Sequence, residues 1–310
     1  MSLIVLGGGL SLVTRRDMIL AAAVAALWGF NFLVIDWGMA GIPPLLFVAI
    51  RFAAVAVFAV VVPRPRAGWG SVIGVGLFMS LGQFALLYLS LGLGLQPGLA
   101  ALLMQAQAVF TVVIAAGVLR ERPTPGQVIG VGLGIAGLAT VAAGRGGDAP
   151  ALAVVLALGA ALSWAVGNVI ARRAGVVTGP GPLGALSLTV WSALVVPVPA
   201  LGLALVFEGP EAIGAGLAGF GIRALVSTVY TAALCTLVGY AIFNGLLARN
   251  PSAAVVPWVL LAPVMAMSAA AVLLGQIPAP AEIVGGAVLV LGVLVTSVRV
   301  PWARRSRLVA

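Results

Sequence analysis

Ten stretches of predominantly apolar residues, each near twenty residues long, follow one another through this 310-residue chain and restrict it to very few folds. A hydrocarbon layer about 30 Å thick is spanned by roughly 20 residues at a helical rise of about 1.5 Å each. The stretches over 18–38, 43–62, 69–91, 97–119, 126–143, 151–171, 183–206, 223–247, 252–274 and 281–298 all approach that length. Lipid offers the backbone no hydrogen-bond partner, so each stretch is predicted as a helix that satisfies itself. Gly41-Ile-Pro-Pro44, Pro63-Arg-Pro-Arg66, Gln96-Pro-Gly98, Arg122-Pro-Thr-Pro-Gly126, Asn250-Pro-Ser252 and Gln276-Ile-Pro-Ala-Pro280 supply the breaks. With 63% hydrophobic and 7% charged residues, the chain could not cover a water-facing surface, since ordinary chains carry roughly a quarter charged residues.

The net charge of +9 could suggest nucleic acid, but the positions of the arginines point to a membrane instead. With the N-terminus inside, Arg15, Arg16, Arg64, Arg66, Arg120, Arg122, Arg172, Arg173, Arg249, Arg299, Arg304, Arg305 and Arg307 fall on one side. Arg145 and Arg223 fall on the other, and Arg51 lies within a span. Thirteen against two is a positive-inside pattern that requires an even number of crossings and puts both termini in the cytoplasm. Residues 3–13 are apolar but precede Arg15 and Arg16, the reverse of a cleavable signal peptide, so 1–17 are read as a cytoplasmic extension. Residues 299–310 are read as a cytoplasmic tail. A chain with no histidine and one cysteine, Cys235, can build neither an internal disulfide nor a Cys/His metal site, and no cofactor is implied.

The chain also repeats itself. Pro123, Pro125, Gly130 and Gly137 recur as Pro278, Pro280, Gly285 and Gly292 at a constant offset of 155 residues. Trp28-Gly-Phe-Asn31 is echoed by Trp164-Ala-Val-Gly-Asn168. Two repeats, 18–143 and 151–298, each with five crossings, must face opposite ways because five is odd. Inverted repeats around a central cavity are the usual build of alternating-access transporters, and two covalent repeats make a monomer sufficient.

Leu27-Trp-Gly-Phe-Asn-Phe32, Pro43-Pro44 and Arg51-Phe52 resemble the opening of the EamA family of the drug/metabolite transporter superfamily. Leu103-Met-Gln-Ala-Gln-Ala-Val-Phe-Thr111, Ser163-Trp-Ala-Val-Gly-Asn168, Val190-Trp-Ser192 and Val238-Gly-Tyr240 look like its O-acetylserine/cysteine exporter branch. The aromatic amino acid exporters share the same plan. The resemblance implies a ten-helix basket in a bacterial inner membrane that exports amino acids or related metabolites. One departure is visible: the family's glutamate after helix 9, the mirror of Glu121 after helix 4, is Gln276 here.

Candidate site residues are the polar groups inside spans, each costly in lipid unless it meets protein or water. Asn31, Gln83, Gln105 and Asn168, with Tyr88, Trp164 and Tyr240, are predicted to bind substrate. For each polar group, glue between helices competes with substrate contact. Gln105 and Gln107, two residues apart, point about 200° apart on a regular helix, so one is expected to face the cavity and the other a neighbouring helix. Trp28, Trp191 and Tyr230 are further candidates for a cavity wall. An interfacial aromatic belt accounts better for Trp69 and Trp302.

Arg51 and Glu121 are candidates for gating or coupling. For Arg51 a structural role, by snorkelling or by pairing with a helix end, is favoured over an outer gate. Asp17, Asp36, Glu121, Asp148, Glu208, Glu211 and Glu282 all fall at ends or in loops, so no titratable relay crosses the membrane. That disfavours proton antiport and intramembrane catalysis, while a channel would be expected to show a charged ring or a re-entrant filter. Gly132-Leu-Gly-Ile-Ala-Gly137 spells a dinucleotide fingerprint but lies inside a span, where Gly126, Gly130 and Gly134 offer close helix packing instead. A facilitative exporter of small neutral or zwitterionic metabolites is the expectation. A broad drug or sugar-type carrier, with or without proton coupling, is the alternative.

Overall fold

The computed structural model describes residues 14–144, 150–174, 183–184, 186–250 and 252–297. Within them every regular element is helical. In chain order these are α1 (Arg15–Gly38), α2 (Pro44–Val60), α3 (Trp69–Gly92), α4 (Pro97–Val118), α5 (Pro125–Ala143), α6 (Ala151–Arg173) and α7 (Ser187–Phe207). The short α8 (Pro210–Ala218) and the long α9 (Ile222–Arg249) follow. Next, α10 runs as Ser252–Val259 and then Ala262–Leu274, and α11 is Pro280–Ser297. Eight helical stretches among the described residues are long and apolar enough to cross a membrane, while α2 and α11 are shorter apolar helices. The protein is therefore a multi-pass membrane protein. Outward-facing apolar side chains such as Val60 (86% exposed) and Val272 (82%) suit acyl chains and would be penalised by water.

Local chemistry sets the helix starts. Thr14 caps α1 by accepting from the Asp17 N–H, and Thr124 forms a capping box with Gln127 at the head of α5. Pro44, Pro97, Pro125 and Pro210 each occupy the first helical position, where a missing N–H costs nothing. The first helix begins three residues before the expected 18. The helix that the sequence places at 183–206 runs as Ser187–Ala193 and then Pro197–Phe207, broken at 194–196 ahead of Pro197. The stretch read as a loop before 223 contains α8, introduced by Gly209 at φ +85°. The expected extension up to residue 13, the tail 299–310, Arg145, Asp148 and Trp302 lie outside the described residues.

Helices α3 and α9 widen their hydrogen-bond pitch at matching places, and the breaks in α4 and α10 match as well. Wide π-type turns occupy Gly76–Gly82 in α3 and Tyr230–Val238 in α9, starting 154 residues apart. Helix α4 is interrupted at Met104 and Gln105, and α10 at Leu260 and Leu261 just after Pro257, 156 residues apart. Packing follows the same pattern. Helix α1 lies chiefly against α9 and α10, while α6 lies against α3 and α4; α2 meets α7, and α5 meets α11 in the closest seam of all.

That seam is made of glycine. A Cβ built on Gly130 would lie 2.5 Å from the Gly292 carbonyl oxygen, and one on Gly137 the same distance from that of Gly285. In return, Cβ atoms on Gly292 and Gly285 would lie 2.6 Å from the carbonyl oxygens of Gly130 and Gly137. Gly130 and Gly285 are counterparts at the 155-residue offset, as are Gly137 and Gly292. Gly130 thus meets Gly292, the counterpart of Gly137, and Gly137 meets Gly285, the counterpart of Gly130, in an antiparallel, reciprocal contact, the pattern a local two-fold axis produces.

Candidate functional site

Four polar side chains share one depth. Asn31 lies seven residues in from the end of α1 at Gly38, and Arg51 seven in from the start of α2 at Pro44. Gln83 lies nine residues from the end of α3 at Gly92, and Gln105 eight from the start of α4 at Pro97. At about 1.5 Å per residue, all four sit roughly 10–14 Å below the ends of their helices. Those ends lie opposite the arginine-rich end of the molecule. All four are buried, and Asn31 Oδ1, Gln83 Oε1 and Arg51 Nε have no hydrogen-bond partner. Buried polar atoms are normally satisfied, so three unmet ones at one depth call for an explanation.

Arg51 does not snorkel: it is 3% exposed. Its Nη1 donates to the Tyr88 hydroxyl (3.1 Å) and its Nη2 to Thr236 Oγ1 (3.3 Å). The guanidinium carbon stands 4.1 Å from the ring centre of Phe84 and 5.4 Å from that of Phe52. Three helices, α2, α3 and α9, thus converge on one cation. Thr236 in turn donates to the Thr231 carbonyl inside the wide turn of α9.

Of the two glutamines of α4, Gln107 joins a neighbouring helix, and the 200° argument does not apply to the pair. The break at Met104 and Gln105 replaces the regular helix that the argument assumed. Gln107 accepts from Asn168 Nδ2 of α6 at 3.0 Å, so this pair joins helices, while Gln105 stays buried in the break. Trp164 is half-buried with its Nε1 unpartnered. Tyr240 lies 5.1 Å from Trp28, centre to centre.

The wide turns of α3 and α9 each expose a carbonyl, and each is met from the other half of the chain. Trp28 Nε1 donates to the Cys235 carbonyl at 3.0 Å, and Ser163 Oγ to the Phe78 carbonyl at 2.7 Å. Tyr230 and Ser227 of α9 donate to the carbonyls of Leu27 and Val34. Trp191 is no cavity wall: it donates to the Val62 carbonyl, with Trp69 at 5.9 Å and Arg64 at 5.3 Å, at the arginine-rich end of the molecule.

At that end Glu121 pairs with Arg172 (2.8 Å, both about half exposed), and Asp17 accepts from Arg249 and Asn250. At the opposite end Glu208 accepts from the free Leu45 and Leu46 N–H groups of α2, at 2.7 and 3.2 Å. Burial raises the Glu208 carboxyl above its ordinary value by more than these two donors lower it. An apolar groove of about 680 Å³ between α10 and α11 is lined by residues such as Pro263, Met267, Ile283 and Val290, and by none of the predicted site residues.

Sequence reasoning missed Thr236, Phe84, Ser163 and Glu208. A threonine or serine can hide in any apolar helix, and a phenylalanine next to a buried cation has no sequence signature.

The sequence matches the EamA-like transporter family model twice, over residues 16–143 and 151–298. A probable amino-acid metabolite efflux pump of Salmonella typhimurium is 37% identical over 91% of this chain and 95% of its own length. One of the same description from Escherichia coli is 32% identical over 94% and 98%. A solved crystal structure, 21% identical, superposes with a TM-score of 0.61 over 90% of this chain and 95% of that one, which bears on the fold alone. Two matched halves, near-complete coverage of relatives and a bundle of apolar helices agree: the chain belongs to the EamA-like transporter family.

Proposed function

We propose that this protein is an alternating-access exporter of amino acids or closely related small metabolites in a bacterial inner membrane. The relatives named as amino-acid metabolite efflux pumps support the substrate class. In this reading α2 and α11 complete ten crossings, both termini are cytoplasmic, and the halves 18–143 and 151–298 are inverted about a central cavity. The reciprocal glycine contacts of α5 and α11 and the exchange of α1 and α6 between halves support that arrangement. One molecule suffices. Asn31, Gln83, Tyr88, Gln105, Trp164, Asn168 and Tyr240 line the substrate's path, and Glu121 with Arg172 ties the cytoplasmic mouth.

The observation that carries this reading is the buried polar layer, which lacks any carboxylate. It offers amide and hydroxyl partners to a zwitterion but no acid for a hydrophobic cation, and no mid-span group to carry a proton. Transport is therefore facilitative.

Uptake of labelled threonine, methionine, cysteine and phenylalanine into proteoliposomes, with and without a pH gradient, tests it. Saturable uptake that ignores the gradient is expected. Gradient-dependent uptake would refute the facilitative mechanism and turn attention to Glu121, and no uptake of any of the four would refute the substrate class. Gln105→Ala, Trp164→Ala and Asn168→Ala are each expected to slow uptake several-fold while still inserting into the membrane; unchanged rates in all three would remove the site assignment.

A further inference from the structure

A guanidinium deep in a membrane protein is ordinarily held by a carboxylate, because a lone buried cation is costly. Among the described residues no carboxylate oxygen lies within 4 Å of Arg51, and the ion pairs found there belong to Arg172 and Arg249 at the cytoplasmic ends. What Arg51 has instead is neutral: one hydroxyl on each Nη and two aromatic faces. These partners fix its plane without neutralising its charge. They also leave Nε without an acceptor, although the side chain is 97% buried by its 3% exposure. Gln83, whose own Oε1 is unmet, neighbours Phe84 in sequence, and Asn31 lies at the same depth. The missing partner of this cation is an anion that comes and goes.

We infer that Arg51 is the specificity-determining residue that binds the substrate's carboxylate, with Tyr88 and Thr236 holding the guanidinium in position. Nε–H and an Nη–H present the parallel pair of donors that a carboxylate accepts bidentately. A free carboxylate is then required of the substrate, so the amide or ester of a transported amino acid is rejected. A merely structural Arg51, clamping α2 to α3 and α9, would bring helices together without discriminating acid from amide.

Because an amino-acid substrate is itself proposed, the test separates the two claims. Proteoliposomes with wild-type protein are assayed for uptake of labelled methionine, threonine and phenylalanine, each competed by its unlabelled self and by its carboxamide. The expected result is that the amide competes roughly tenfold to a hundredfold more weakly, the range for losing hydrogen bonds to a charged group. In Arg51→Gln the acid's affinity falls by a similar factor, and acid and amide come within about threefold of each other. Arg51→Lys retains part of the preference, and Tyr88→Phe weakens it.

Equal competition by acid and amide in the wild type overturns the Arg51 assignment and leaves the amino-acid reading standing. It does so even if Arg51→Gln cannot be recovered folded. An undiminished acid preference in a folded Arg51→Gln overturns it equally. No uptake of any labelled amino acid overturns both.

Discussion

The seam between α5 and α11 allows a sharp test of how this fold is held together. Gly137→Ala adds one methyl group, whose carbon would fall 2.5 Å from the Gly285 carbonyl oxygen, 2.6 Å from Leu289 N and 2.9 Å from Leu289 Cα. All three are backbone atoms of a packed helix, so no side chain can swing aside. Restoring ordinary contact at 3.4 Å requires the helices to separate locally by about 0.9 Å. A gap of that size forfeits a quarter to a half of the dispersion energy of the atoms that line it, and comparable overpacking costs about 1–3 kcal/mol. Replacing glycine by alanine also favours the helix by up to ~1 kcal/mol. Gly132→Ala isolates this gain, because a Cβ there meets nothing within 4 Å in the same helix. The two variants should therefore differ by about 1–3 kcal/mol, or roughly 2–10 °C in the midpoint of heat-induced loss of monodisperse protein in detergent. Adding Gly285→Ala to Gly137→Ala should cost less than the sum, since the first separation already clears the second methyl. If Gly137→Ala and Gly132→Ala melt together, close glycine packing does not hold these helices, and the two-fold contact between them has no energetic meaning.

The remaining predictions concern the ties at either end of the membrane and those across the wide turns. Burial raises the Glu208 carboxyl from its ordinary 4.5, so the folded protein binds that proton more readily than the unfolded chain does. Stability from this group is then fullest below the ordinary value and lost as pH rises through the folded-state value. Melting midpoints measured across the carboxylate range should follow that slope, and Glu208→Gln should flatten it. Trp28→Phe keeps the ring beside Tyr240 but strands the Cys235 carbonyl, which should lower stability by about 1–3 kcal/mol. Ser163→Ala removes one donor from the Phe78 carbonyl, which keeps the Gln83 N–H, and should cost less in the same melting assay.

What the sequence made legible was whatever depends on length or on backbone-determining residues. The spans could be read because lipid thickness fixes their length. The repeat could be read because its markers are prolines that start helices and glycines that let two backbones touch. The helix-joining role of Gln107 is seen in its bond to Asn168, but the regular helix assumed for the pair gives way to a break at Gln105. Arg51 was visible as an anomaly, yet its partners were not. Tyr88 is 37 residues away and Thr236 is 185, so only the three-dimensional convergence of α2, α3 and α9 reveals a cation without an acid. The wide turns of α3 and α9 were unreadable because a carbonyl in each accepts a donor from another helix, an indole in one case and a hydroxyl in the other.

A frame with two related halves would by itself offer a substrate two equivalent orientations. Arg51 removes that equivalence: α7, which packs against α2, carries no ionisable residue from Ser187 to Phe207. A zwitterion would then bind one way round, its carboxylate toward α2 and α3. The guanidinium's two hydroxyl partners also come from different halves, Tyr88 from the same half as Arg51 and Thr236 from the other. In an alternating-access cycle, movement of one half against the other would keep the first bond and strain the second, so the cation's free donors would differ between the two end states. A substrate can drive a conformational equilibrium only through such a difference in affinity. If Arg51 binds the substrate carboxylate as proposed, it does so where the two halves meet, and the strength of that hold would depend on which way the carrier faces.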